Sequence, residues 1–112
     1  MRRRLYVPDR GDIVWLQFNP QAGHEQAGHR PALVLSPASY NRASGLMLCC
    51  PMTSQQKGYP FEVAMIDETD SKSVVLADQV KSLDWKVRKA IKKGTAPLDV
   101  VAEILSKLQA LL

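Results

Sequence analysis

The sequence predicts a mainly β fold, a small curled antiparallel sheet or barrel closed by one C-terminal helix. Short runs rich in Val, Ile, Leu and aromatic residues alternate with clusters of Gly, Pro, Asn and Asp, the pattern of strands joined by turns. Only the last stretch has helical periodicity, and 112 residues leave no room between the runs for the crossover helices that a parallel sheet needs.

Taken in order, Pro8 to Gly11 is a turn signal and Asp12 to Phe18 (DIVWLQF) is the first strand, with Val14, Leu16 and Phe18 on one face and Ile13, Trp15 and Gln17 on the other. Both faces are rich enough in apolar residues to be covered, and Trp15 is expected in the core. Asn19 to His29 holds Pro20, Gly23 and Gly28 without periodicity, a long loop of the kind that carries function in small domains. Arg30 to Ser36 (RPALVLS) resumes as a strand, ASYNRASG is a short helical or turn connection, and Leu46 to Thr53 (LMLCCPMT) is another apolar strand. Its Pro51 marks a strand end, an edge or a bulge.

Tyr59 to Ile66 and Ser73 to Ala77 add two strands around the acidic loop DETDSK, Gln79 to Leu83 continues the sheet, and Ala90 to Thr95 is a short basic strand or turn. Pro97 suits the first position of a helix, in which Leu98, Val101, Ile104, Leu105, Leu108, Leu111 and Leu112 share one face, open in part to a second subunit. Glu103 and Lys107 stand in the favourable order for an i,i+4 pair.

The chain reads as one domain, residues 1–112, of ordinary globular composition with 46% hydrophobic and 23% charged residues. No apolar run approaches the roughly 20 residues of a membrane span, and MRRR leads into a turn instead of a signal-peptide core, so a cytoplasmic location and no membrane contact are expected. The 15 Lys and Arg against 11 Asp and Glu give +4, but without Arg2, Arg3 and Arg4 the balance is 12 against 11, or +1. Distribution says more: Lys81, Lys86, Arg88, Lys89, Lys92 and Lys93 face only Asp84. That cluster is either a track for a polyanion or a solvated face. Cys49 and Cys50, adjacent in an apolar strand, suit buried thiols, and no zinc ligand set is present.

The stretch EQAGHRPALVLS concentrates charge at the start of an apolar strand. Pro31 biases Arg30 toward extended backbone, so the guanidinium is carried on a stiff strand start while Glu25 rides on the loop. From spacing alone the two are either halves of one phosphate-sized site or surface charges of small energetic value. Thr53 lies where a strand gives way to a loop, as functional hydroxyls and plain backbone-bonded ones both do. Trp15 and Trp85 are the aromatic candidates for base stacking, Trp85 being the one expected to be partly exposed.

Six ordered blocks carry a family likeness: VPDRGDIVW, EQAGHRPALVLSP with the later Tyr40-Asn41, CPMT, KGYPFEV, LADQVKSLDW and KKGT. Over nearly its whole length the chain resembles the MazF/PemK family of toxin endoribonucleases from bacterial type II toxin–antitoxin modules. The resemblance implies an SH3-like barrel of the CcdB/Kid/MazF type, a homodimer, and cleavage of single-stranded RNA (messenger, ribosomal or transfer) at a short sequence. It implies no metal and no cofactor, 2′,3′-cyclic phosphate and 5′-hydroxyl ends, and a cognate antitoxin with an acidic, disordered tail. Operator DNA would be bound in complex with that antitoxin.

Residue by residue, the family's functional Glu, Arg and Thr fall on Glu25, Arg30 and Thr53. His29, beside the Arg, and Gln79 are further catalytic or RNA-contacting candidates; Gln17, with Asn19, stands where some relatives carry acidic residues and bears on base preference. Lys86, Arg88, Lys89, Lys92 and Lys93 form the candidate basic track. The chemistry fits the residue types: a base for the 2′-hydroxyl (Glu25), a planar cation for the phosphorane charge (Arg30), and a hydroxyl donor (Thr53). An Arg gives up its proton too reluctantly to be the leaving-group acid, which leaves His29 or water. The alternative is a non-catalytic relative, a CcdB-like gyrase-binding toxin or a DNA-binding partner in autorepression, neither of which needs Glu25, Arg30 and Thr53 together.

Overall fold

Period-two patterning gives this molecule two hydrophobic layers, one on each side of a curled sheet. The computed structural model describes residues 5–18, 29–66 and 72–112. Its elements are β1 (Asp12–Gln17), β2 (His29–Val34), α1 (Ala38–Ser44), β3 (Leu46–Thr53), β4 (Glu62–Ile66), β5 (Lys72–Leu76), β6 (Lys81–Asp84), β7 (Ile91–Thr95) and α2 (Leu98–Gln109). The order β4-β5-β3-β2-β1-β7, with β6 also on β3, makes the antiparallel half barrel with a C-terminal helix that the sequence predicts.

Strand β3 produces the curl. One edge pairs with β2, while the other is divided between β6, which takes Leu46 to Cys49, and β5, which takes Met52 and Thr53. No flat sheet allows two strands on one edge, so the sheet folds over at the changeover. Pro51, which has no N–H to give, lies at that changeover, where neither β6 nor β5 is registered opposite it.

On one side Ile13, Leu33, Cys50 and Met52 pack with Val63, Val75 and the buried face of α2, namely Val100, Val101 and Ile104. Within the curl, Val14, Leu16, Ala32, Val34, Met47 and Cys49 meet Leu83 and Trp85. Alternate residues of β1, β2 and β3 thus feed alternate cores, as a sheet covered on both faces requires.

Several boundaries differ from the sequence reading for local reasons. His29 opens β2, and the remainder of the predicted loop, residues 19–28, is outside the described residues. Residues 57 to 59 turn around the Glu62 carboxylate, which accepts N–H bonds from Lys57, Gly58 and Tyr59 at 3.1–3.3 Å, so β4 begins at Glu62 instead of Tyr59. The Gln79 N–H bonds to the Leu76 carbonyl at 3.0 Å, closing a turn that holds Gln79 out of β6.

The leucine stripe of α2 is narrower than its sequence suggests: Pro97 caps the helix, Leu98 is 88% exposed and Leu112 99%. Lys107 reaches the Pro60 carbonyl at 2.7 Å in place of the expected pairing with Glu103. The tryptophans exchange their expected places, Trp15 being 37% exposed and Trp85 only 5%, with the Trp85 indole N–H donating to the Asn41 carbonyl at 2.9 Å.

Asn41 is fully buried and ties three segments together. Its Nδ2 donates to the carbonyls of Pro8 (2.7 Å) and Ser36 (3.1 Å), and its Oδ1 accepts from Ser36 Oγ (2.6 Å). Asp9 Oδ1 accepts the Ala38 N–H at 2.8 Å, satisfying one open donor of α1, and Gly45, at φ 76°, ends that helix in the left-handed region.

Both cysteines are free and buried as expected, and burial pushes each thiol up to about 12. At pH 8 the thiolate fraction is therefore minute. Alkylation of the native protein is expected to be at least about 100-fold slower than in urea; comparable rates would contradict the burial.

Candidate functional site

The site begins with strand register. Arg30 lies opposite Leu16 of β1, and across β2 and β3 the last registered pair at this end is Ala32 with Pro51. Arg30 and Thr53 each lie two residues beyond that pair, so strand parity gives them the face of Ala32 and Pro51. The strand start and the strand mouth thus lie at the same end of the β2–β3 ladder although far apart in sequence. Both residues are half-buried. Thr53 Oγ1 accepts the Gln55 N–H at 3.2 Å, which fixes the oxygen and leaves the hydroxyl proton to be donated elsewhere. The backbone-bonded and functional readings of this hydroxyl are compatible.

Two further cations border this face. Lys81 is registered opposite Cys49, which shares the strand face of Pro51 and Thr53. Burial raises the Cys49 thiol, and the positive charges of Arg88 and Lys81 partly offset it. Arg88 Nη1 also donates to the Gln17 carbonyl at 2.8 Å, tying the 85–89 turn to the end of β1. By register and parity Arg30, Thr53 and Lys81 thus belong to one face of the sheet, with Arg88 tied to the end of β1, a set of groups suited to a phosphate and its neighbours.

The other candidates lie elsewhere. His29 is on the opposite face from Arg30, its ring stacked on Trp15 with centroids 6.1 Å apart and planes 14° from parallel. Gln17 Oε1 and Gln79 Oε1 are buried without a hydrogen-bond partner among the described residues, leaving two acceptors open. Glu25 is outside the described residues.

The basic cluster is divided among several places. Lys86 Nζ lies 5.4 Å over the Trp85 ring, Lys89 takes φ 54° in the turn, Lys92 Nζ is 3.5 Å from Asp12 Oδ1, and Lys93 Nζ is 5.4 Å over Trp15. Lys81 is one of these charges, though the sequence assigns it no role in the site. The available signal was parity, since Lys81 shares a strand face with Leu83, which is buried inside the curl. Among the described residues no cluster of His, Cys, Asp and Glu could hold a metal ion, and no helix is long and apolar enough to cross a membrane.

The fold and site define a small curled-sheet protein with a cationic, hydroxyl-bearing strand-end site. The chain belongs to the family described as "PemK-like, MazF-like toxin of type II toxin-antitoxin system", whose sequence model matches residues 9–112. It is 51% identical over 107 residues to the endoribonuclease toxin MazF of Escherichia coli (strain K12), covering 96% of each chain. Among solved structures it is similar to MazF from Deinococcus radiodurans (58% identity, TM-score 0.89, 95% of this chain and 96% of that one). A MazE–MazF structure from the same organism matches with 58% identity and a TM-score of 0.84 over 95% and 96% of the two chains.

Proposed function

We propose that this chain is a sequence-specific endoribonuclease toxin, acting on single-stranded RNA in the cytoplasm as a homodimer and held inactive by a cognate antitoxin. The observation that carries the reading is the register that sets Arg30 and Thr53 on one face, supported by the family to which the chain belongs. Relatives named as endoribonucleases and a MazE–MazF structure supply the activity and the partner class.

In the reaction the 2′-oxygen loses its proton to Glu25 and attacks the adjacent phosphorus, while the bond to the 5′-oxygen breaks. Arg30 binds two phosphoryl oxygens as a planar fork, and the Thr53 hydroxyl donates to a non-bridging oxygen as charge accumulates. Lys81 and Arg88 hold the flanking phosphates. The proton for the departing 5′-oxygen comes from water, because His29 stacks on the far face. No water enters the phosphoryl product, so the ends are a 2′,3′-cyclic phosphate and a 5′-hydroxyl, and no step calls for a metal. Incubation of the purified protein with mixed-sequence RNA in excess EDTA is expected to give discrete fragments at full rate. Intact RNA, or fragments that appear only on adding magnesium, would overturn the reading.

A further inference from the structure

Trp15 is a large aromatic left open on a sheet that buries both its strand neighbours, Val14 and Leu16. Ile13, two residues earlier on the same face, is covered by the core against α2, so Trp15 stands beyond that cover. Its cross-strand partners are Pro31 and Ile91, the latter exposed. The His29 ring lies nearly parallel to the indole at 6.1 Å, and Lys93 Nζ is 5.4 Å from the indole centroid.

A shift in the β1–β7 register gives Lys93 this position: Ile13 pairs with Gly94 and Val14 with Lys92, so Lys93 is the extra residue of a bulge. Bulges re-aim side chains and concentrate near active sites. An exposed indole backed by a stacked imidazole, with an exposed ammonium that can turn from the ring to an anion, matches one ligand unit, a nucleobase with its phosphate. An acidic peptide would be drawn to Lys93 but has no use for the flat rings. His29 also precedes Arg30 directly in the chain, so the two side chains leave opposite faces of β2 at adjacent positions.

We propose that Trp15, His29 and Lys93 form a stacking site for a nucleobase next to the scissile phosphate, with Lys93 on that nucleotide's phosphate. This rests on the RNA-cleaving reading. The probe is a short RNA containing the site that the wild type cleaves, made resistant by a 2′-deoxy scissile nucleotide, with its affinity measured by fluorescence anisotropy. Trp15→Ala should weaken binding at least about 10-fold, and Trp15→Phe by less than about 3-fold. Lys93→Ala should reduce the salt slope by about one.

A single abasic position should cost the wild type as much as Trp15→Ala does and add little in that variant. The same RNA should quench tryptophan emission in the wild type, and the abasic one should not; this readout needs no variant, since Trp85 is buried. A folded Trp15→Ala with unchanged RNA affinity, or no abasic position that couples to Trp15, would overturn the proposal. Unchanged RNA affinity with lost binding of an acidic antitoxin peptide would overturn it in favour of a protein site. A wild type that cleaves no RNA sinks the nuclease reading separately, and binding of the mixed RNA to wild type and Trp15→Ala still decides the stacking site.

Discussion

Arg30→Ala is expected to lower the single-turnover cleavage rate by about 10³-fold, because it removes the planar cation that meets the charge developing on the phosphoryl group. Such a loss corresponds to about 4 kcal/mol of transition-state stabilisation. The fold should survive, since Arg30 pairs with Leu16 through its backbone at the start of β2 and its side chain is only half-buried. Arg30→Lys keeps the charge but not the fork and should recover only part of the rate. Thr53→Ala should cost about 10²-fold, the size of one lost hydrogen bond to a charged transition state. A folded Arg30→Ala protein that cleaves at the wild-type rate would remove Arg30 from the chemistry.

Asn41→Ala is the substitution expected to cost most in stability. It deletes three buried hydrogen bonds and leaves the Pro8 carbonyl and the Ser36 hydroxyl and carbonyl short of their partners. Unsatisfied buried groups cost about 1–3 kcal/mol each, and partial relaxation makes a total of about 3 kcal/mol the expected loss. In a chain of this size that lowers Tm by about 10 °C or more. Ser36 also accepts the Leu48 N–H at 2.8 Å, so the disturbance reaches β3. Asn41→Asp should be no better, because it places a carboxylate against two carbonyl oxygens. Urea unfolding followed by Trp85 emission tests both variants, and a shift under about 0.5 kcal/mol would contradict this role for the network.

The Asn41 network also explains part of the sequence likeness in structural terms. Tyr40-Asn41 belongs to one of the blocks that carry the resemblance, yet Asn41 works in the scaffold: it joins residue 8, residue 36 and, through its backbone, Trp85. Ordered blocks in a sequence mark positions that matter without saying whether they hold the fold or meet the substrate.

Strand alternation was legible because it depends on nearest neighbours: β1, β2 and β3 feed two cores as their period-two patterns require. Arg30 at a strand start and Thr53 at a strand mouth were legible for the same reason. That both lie at one end of the same ladder was not, since it follows from the long-range register of β2 on β3. The exchange of the tryptophans has a similar cause. Periodicity assigns Trp15 to a face, but whether a covering layer extends over that part of the face depends on where the opposite core ends. Trp85 sits in a basic turn that local sequence reads as surface, and its indole is drawn inward by the Asn41 carbonyl. The helical stripe predicted for the C-terminus loses its last members because α2 ends at Gln109, which leaves Leu111 and Leu112 exposed beyond it.

The most direct test of the account is the chemistry of the RNA ends. Fragments produced by the wild-type protein in EDTA are expected to carry 2′,3′-cyclic phosphate and 5′-hydroxyl termini, and a single 2′-deoxy substitution at the scissile nucleotide should abolish cleavage there. Both signals should fall together in Arg30→Ala and Thr53→Ala. Fragments ending in 3′-hydroxyl and 5′-phosphate, or undiminished cleavage at the 2′-deoxy position, would show that the 2′-oxygen is not the nucleophile and would contradict the roles given to Arg30 and Thr53.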